Sequence, residues 1–102
     1  MIMEERIQLK HPAGKHAVTM AKEKYEVMSK AIIASLEKNI ALTHTEMTQA
    51  VVNYFKKNKI KFDGAIEWYM ESVKLDLEAN KIIERISGKP SQKYKWRFSV
   101  SR

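Results

Sequence analysis

Apolar side chains recur at helical spacing in three segments of the chain, residues 21–38, 44–57 and 64–79. Side chains that are three, four and seven positions apart lie on one face of an α-helix. The apolar stripes are Tyr25, Met28, Ile32 and Leu36; Met47, Ala50, Val51, Tyr54 and Phe55; and Ile66, Tyr69, Met70, Val73 and Leu77. The pattern predicts three amphipathic helices that share one core.

Polar residues beside these segments predict where the helices begin and end. Thr43 precedes the second segment and Glu46 follows three positions later, which is the pattern of a capping box. Asp63 is placed to cap the third helix at its amino end, and Thr19 is a candidate cap for the first. Asn80 is expected to end the third helix, because Asn tolerates the left-handed conformation that closes a helix.

A two-residue alternation replaces the helical spacing near the carboxyl end. The odd positions are Lys93, Lys95, Arg97 and Ser99, and the even positions are Tyr94, Trp96, Phe98 and Val100. A strand points successive side chains to opposite faces, so one face is expected to be buried and the other cationic and solvated. The aromatic face could instead stack unpaired bases, but the strand needs it for packing on the helices, which favours burial. With an apolar strand at 82–86 and turn residues at 87–92, the pattern predicts a β-hairpin over 82–100.

The remaining segments are short. Residues 40–42 predict a minimal strand after the first helix. Residues 1–20 are expected to form an irregular N-terminal arm, with a short strand at 6–10 and a turn at 11–15. At 102 residues the chain is expected to be one α+β domain that is mainly α.

This order of elements resembles the winged-helix variant of the helix-turn-helix fold. Residues 73–85 carry the resemblance, because they follow the Leu-Glu-x-x-Gly-hydrophobic-Ile-x-Arg run that leads from the third helix into the wing, with Lys81 in the place of the Gly. The resemblance implies that the third helix enters the major groove and that the wing touches phosphates or the minor groove. The chain also resembles a group of small bacterial proteins of uncharacterised function, which implies the same fold and no particular activity. That likeness rests on residues 11–15, 24–26, 42–43, 75–79, 83–85 and 89–90.

The net charge of +7 is unevenly distributed along the chain. Residues 85–102 contain six cations and no acid, residues 56–61 contain four lysines, and the rest of the chain sums to −3. Segregated cations favour a polyanionic partner. We therefore expect binding of double-stranded DNA through the basic wing, mostly by phosphate contacts and with low sequence specificity, in a role related to transcription. The candidate contacts are Lys89, Lys93, Lys95 and Arg97 in the hairpin, and Lys56, Lys57 and Lys59 at and just beyond the end of the second helix.

The third helix does not suit base recognition. Residues 64–79 contain four acids and one lysine, and Trp68 and Leu75 lie opposite the apolar stripe. A helix that reads bases usually presents Arg, Lys, Asn or Gln. Two interpretations of this outer face remain open. The N-terminal arm could cover Trp68 and Leu75, or these residues and Glu71 could form a protein interface, with a homodimer as its simplest form.

No residue pattern predicts catalysis. The three histidines are scattered and do not form a zinc-binding pattern, and no nucleophile or phosphate-loop motif occurs. The expectation is therefore a protein that is not an enzyme, with no metal, cofactor or small-molecule substrate. The absence of cysteine and of an apolar run long enough to span a bilayer favours a cytoplasmic protein.

Overall fold

The computed structural model describes residues 5–14, 18–38, 41–86 and 93–96. Within these residues, three helices and two small antiparallel sheets make an α+β fold that is mainly helical. The elements in chain order are β1 Arg6–Gln8, β2 Thr19–Ala21, α1 Lys22–Lys38, β3 Leu42–Thr43, α2 His44–Lys57, α3 Ile66–Ala79, β4 Ile83–Ile86 and β5 Lys93–Trp96.

The second sheet joins distant parts of the chain, because its strand order is β3-β5-β4. The central strand β5 places Tyr94 opposite Leu42 on one side and opposite Arg85 on the other. Both pairings are antiparallel. The short strand between α1 and α2 is thereby fixed to the strand pair that follows α3.

The predicted apolar stripes of the three helices meet in one core. Its fully buried side chains include Met28, Ile32, Leu36, Met47, Val51, Met70, Val73 and Leu77. Leu9 and Met20 from the amino-terminal segment are also buried there, and so is Tyr94 from the central strand. The predicted burial of the face that carries Tyr94 is therefore confirmed at that position.

The predicted capping box at the start of α2 is confirmed. The Glu46 amide donates to Thr43 Oγ1 at 3.2 Å, and the Thr43 amide donates to Glu46 Oε1 at 2.9 Å. Hydrogen bonding of the Glu46 carboxylate by the Thr43 amide and hydroxyl, with a smaller contribution from the Lys93 charge, holds the pKa of Glu46 below its usual value.

Helices α2 and α3 end with the same backbone conformation. Asn58-Lys59-Ile60 follows α2, and Asn80-Lys81-Ile82 follows α3. In each case the lysine has a positive φ, 55° at Lys59 and 61° at Lys81. The amide of the following isoleucine donates to a carbonyl five residues earlier, which is the Schellman arrangement. The prediction that Asn80 takes the left-handed conformation is wrong: its φ is −87°, and Lys81 takes that role.

The predicted caps of the other two helices are also wrong. Helix α3 begins at Ile66 after Ala65, without a side-chain cap, so Asp63 does not cap it. Gly64 intervenes with a φ of +118°, and a Cβ there would lie 2.7 Å from the Tyr69 ring. Thr19 belongs to strand β2 and donates its hydroxyl hydrogen bond to Gln8.

The described part of the N-terminal arm, residues 5–14 and 18–20, contains more regular structure than its sequence predicts. Strand β1 pairs with β2, so Gln8 lies opposite Thr19. Asp76 of α3, only 4% exposed, fastens the arm to the helices. Its Oδ1 accepts from the Lys10 amide at 2.7 Å, and its Oδ2 accepts from the Tyr25 hydroxyl at 2.6 Å. Burial and this carboxylate raise the pKa of the Tyr25 hydroxyl well above its ordinary value.

Candidate nucleic-acid interface

Four lysines are concentrated at the end of α2 and in the segment that follows it. Lys56 and Lys57 lie in the last turn of α2, and Lys59 and Lys61 lie in the segment after the helix. All four side chains are exposed. Within the part of the chain that the structure describes, none of their ammonium groups makes an ion pair or a hydrogen bond. This is a locally uncompensated positive surface, and we call it the lysine cluster.

The backbone after α2 explains why these lysines face solvent. Residues 59–62 alternate, with Lys59 and Lys61 exposed and Ile60 and Phe62 partly buried against the core. The Ile60 amide bonds the Phe55 carbonyl at 2.8 Å. The Phe62 ring stacks on the Phe55 ring with centroids 5.3 Å apart. Inward packing of the two apolar side chains directs the intervening lysine outward.

The cations of the second sheet are less available. Lys93 is exposed and lies opposite Thr43 at the start of α2. Lys95 is partly buried and pairs with Glu84 directly across the strands, with Nζ and Oε2 3.6 Å apart. Arg85 pairs with Glu78 at 3.1 Å. The charge alternation predicted for this strand is present at residues 93–95, but Lys95 has a carboxylate partner from the same chain.

Other parts of the predicted hairpin lie outside the described residues. These are Lys89 in the predicted turn and Arg97, Phe98, Ser99 and Val100 beyond strand β5. Described strands cover Ile83–Ile86 and Lys93–Trp96. Of the predicted strand at 40–42, Ile40 lies outside the described residues, and the described strand is Leu42–Thr43.

The outer face of α3 is partly open. Trp68 is 48% exposed, and its ring meets the Tyr69 ring edge-on at 4.9 Å. Leu75 is half-buried. The Lys10 amide of the N-terminal arm bonds α3 at Asp76, while Trp68 stays about half-exposed. The first interpretation of this face was that the N-terminal arm covers it. The described residues of the arm do not cover Trp68.

A polar cluster that the sequence did not predict joins α2, α3 and β5. Lys74 is only 3% exposed, and its Nζ lies 3.2 Å from the Tyr94 hydroxyl, 3.2 Å from Glu71 Oε2 and 3.3 Å from His44 Nδ1. The ammonium also lies 4.3 Å from the centre of the Tyr94 ring. His44 is partly buried, and its ring nitrogens lie 3.2 Å from a Glu71 carboxylate oxygen and 3.9 Å from one of Glu67.

This cluster changes the interpretation of α3. Its one lysine, Lys74, is internal and cannot reach a nucleic acid. Asp76 is internal too, so it does not repel phosphates at the surface. Glu71, a candidate interface residue, already pairs with Lys74 and lies 3.2 Å from His44 Nδ1. Across the described ranges, no group of three or more His, Asp or Glu side chains is arranged to hold a metal ion.

Comparison with known families places the chain among proteins of unestablished activity. Residues 6–94 match a family model described as "Family of unknown function (DUF6958)". The match spans most of the chain, so the protein belongs to this family. This agrees with its resemblance to a group of uncharacterised proteins. Neither the curated proteins nor the solved structures gave a match. In the described segments, no helix has the length and apolarity that crossing a bilayer requires.

Proposed function

We propose that this protein binds double-stranded DNA through phosphate contacts made chiefly by the lysine cluster. The observation that carries the proposal is the exposure of Lys56, Lys57, Lys59 and Lys61 without an acidic partner among the described residues. Each ammonium that meets a phosphate releases a condensed counterion, which favours binding. The cluster needs no rearrangement of the fold to present these charges.

We also propose that the fold is a winged helix. Support comes from the strand β3 between α1 and α2, the strands β4 and β5 after α3, and the sheet order β3-β5-β4. In this interpretation the wing is the hairpin that contains Lys89, Lys93 and Lys95, together with Arg97. The wing adds phosphate contacts to those of the lysine cluster.

The ion pair of Lys95 does not prevent such a contact. Lys95 and Glu84 are each more than two-fifths exposed, and exposed pairs contribute only about 0–1 kcal/mol. A phosphate can therefore replace Glu84 as the partner of Lys95 at little cost. Lys93 is already exposed, so it is the hairpin cation most readily available in the described strand.

Sequence specificity is expected to be low. The only lysine of α3 is internal, and Glu67 on its open surface has a carboxylate that a phosphate would repel. Phosphate contacts fix the position of a protein on DNA but carry no direct sequence information. The proposed activity is therefore general duplex binding, and a role in transcription is its simplest context.

The experiment is a titration of fluorescein-labelled duplex DNA followed by anisotropy, at salt concentrations from about 50 mM to about 200 mM. We expect affinity to fall steeply with salt and to differ little between unrelated sequences. Charge reversal at Lys93, Lys95 and Arg97 should weaken duplex binding relative to the parent protein at the same salt concentration. Salt-independent binding, or no binding at the lowest salt, would contradict the proposal.

A second candidate function is protein interaction through the outer face of α3. The half-exposed Trp68 favours it, because an accessible tryptophan is a frequent anchor of protein interfaces. Leu75 extends the same face, and a homodimer is the simplest assembly. Sedimentation of the protein and of Trp68→Ala tests this. A parent dimer that becomes a folded monomer in the variant supports the interface, and a monomeric parent rules out the homodimer.

A further inference from the structure

A groove of about 350 Å³ lies between α1 and the second half of α2. Its size is at the lower end of the range for small-molecule sites, about 300–1,000 Å³. Ala34 of α1 and Ala50 of α2 line it and leave room that larger side chains would fill. The phenol of Tyr54 supplies a flat aromatic surface. The groove is thus partly apolar and suited to a planar group.

Several polar groups around the groove are donors; Asn58 differs, because its Nδ2 already donates to the Tyr54 carbonyl at 2.9 Å. Lys38 and Lys57, the last residues of α1 and α2, both line it and are exposed. Neither forms an ion pair with any residue that the structure describes. Asn53 also lines the groove, and its carbonyl oxygen already accepts from Gln49 at 3.1 Å, so the amide hydrogens remain for a ligand. None of the described lining residues is acidic.

We infer that this groove binds a phosphorylated ligand of nucleotide size. The phosphate lies between Lys38 and Lys57, where two cations satisfy its charge. The planar, less polar part lies against Tyr54, Ala34 and Ala50, because aromatic side chains stack on bases of any sequence. This inference goes beyond duplex binding, which Lys56, Lys59 and Lys61 can support without the groove.

A nucleotide phosphate can come from two sources, a free mononucleotide or the 5′ end of a strand. Titration of ¹⁵N-labelled protein with AMP, with inorganic phosphate and with a short single-stranded oligonucleotide, phosphorylated or not, separates them. We expect AMP to shift the amide resonances of Ala34, Ala50 and Asn53 saturably. Tighter binding by the phosphorylated oligonucleotide than by both AMP and the unphosphorylated oligonucleotide identifies a strand end, and tighter binding by AMP than by either oligonucleotide identifies a free nucleotide.

Variants test the two halves of the site. Lys38→Gln should weaken AMP binding about tenfold, because it removes one charge-assisted contact. Lys30→Gln, also on the exposed surface of α1, is the matched control and should bind like the parent. Ala34→Leu fills the groove and should weaken AMP more than inorganic phosphate. A thermal melt of Ala34→Leu checks that this variant is folded. Lys38→Gln changes only an exposed side chain, so no loss of folding is expected there.

The inference is wrong if AMP causes no saturable shift, or if Lys38→Gln and Lys30→Gln bind AMP equally. It is also wrong if inorganic phosphate binds as tightly as AMP, since the planar part would then contribute nothing. Parallel duplex titrations separate this result from the proposed function. Lys38→Gln should retain duplex binding, and Lys56→Gln with Lys61→Gln should retain AMP binding.

Discussion

The ammonium of Lys74 lies 3.2 Å from the hydroxyl of Tyr94, in a place that solvent barely reaches. The contact joins the middle of α3 to the central strand of the second sheet. A buried ammonium needs several partners, because desolvation is costly for a charge. Tyr94 supplies both an oxygen and the face of its ring, with the ring centre 4.3 Å from Nζ. The strand that carries the hairpin cations is thus held against the helices by a polar contact as well as by burial.

Tyr94→Phe tests that contact, because it keeps the ring and removes the oxygen. We expect the free energy of unfolding to fall by about 1.5–3 kcal/mol, the range for a hydrogen bond to a charged group. Tyr54→Phe is the control, since the Tyr54 hydroxyl has no partner among the described residues, and it should change stability by less than about 0.5 kcal/mol. Urea denaturation measures both. Equal stabilities of the two variants would show that the hydroxyl of Tyr94 contributes nothing.

The raised pKa of Tyr25 leads us to expect that the protein loses stability at alkaline pH. That pKa is raised in the folded state by burial and by Asp76, so the folded protein keeps this proton when the unfolded chain loses it near pH 10. The stabilisation is fully present below about pH 10 and is lost as the pH rises further. Tyr25→Phe should lose less stability than the parent between about pH 8 and about pH 11. Parallel pH profiles for parent and variant would contradict this account.

Replacement of Lys81 by glycine is expected to stabilise the protein. The positive φ of Lys81 strains any residue with a Cβ, whereas glycine adopts that conformation freely. Lys81→Gly should therefore raise the free energy of unfolding by about 0.5–1 kcal/mol and the Tm by about 2–8 °C. The same change at Lys30, within α1, should instead cost about 1 kcal/mol. A destabilised Lys81→Gly would mean that the side chain of Lys81 contributes more than the strain it causes.

The capping box predicts a sensitivity to acid. Hydrogen bonds to Thr43 lower the pKa of Glu46 in the folded state, so its contribution is present above the unfolded value and is lost as the pH falls. Glu46→Gln should therefore lose less stability than the parent when the pH falls from about 6 to about 3. Thermal melts across this range provide the comparison. The interpretation fails if the two proteins lose stability in parallel.

Local patterns predicted much of the fold. The apolar stripes identified α1, α2 and α3, because helical periodicity depends only on residues within a few turns. The capping box at Thr43 and Glu46 was readable for the same reason, since both partners lie within four residues. Alternation at residues 93–95 correctly placed Tyr94 inside and Lys93 outside.

Features that depend on distant partners were missed. Lys74 and Asp76 were counted with the surface charges of α3. No neighbouring residue indicates that Lys74 contacts Tyr94, or that Asp76 accepts hydrogen bonds from Tyr25 and the Lys10 amide. Strand β2 was missed, since its only signal is its pairing with β1. The groove between α1 and α2 has no local signature either, because it is the space left between two helices at Ala34 and Ala50. Lys81 was passed over in favour of Asn80 because residue preference ranks Asn first, whereas the helix length decides which residue occupies the turn.

The most direct test of the central claim is the salt dependence of duplex binding for two variants with the same net charge. Lys56→Gln with Lys61→Gln removes two cations of the lysine cluster, and Lys10→Gln with Lys30→Gln removes two exposed lysines elsewhere. Each phosphate contact contributes about 0.9 to the slope of log K against log salt, so the first variant should reduce its magnitude by about 1.8. The second should leave the slope close to that of the parent. Equal slopes for the two variants would show that duplex binding follows net charge and not the lysine cluster.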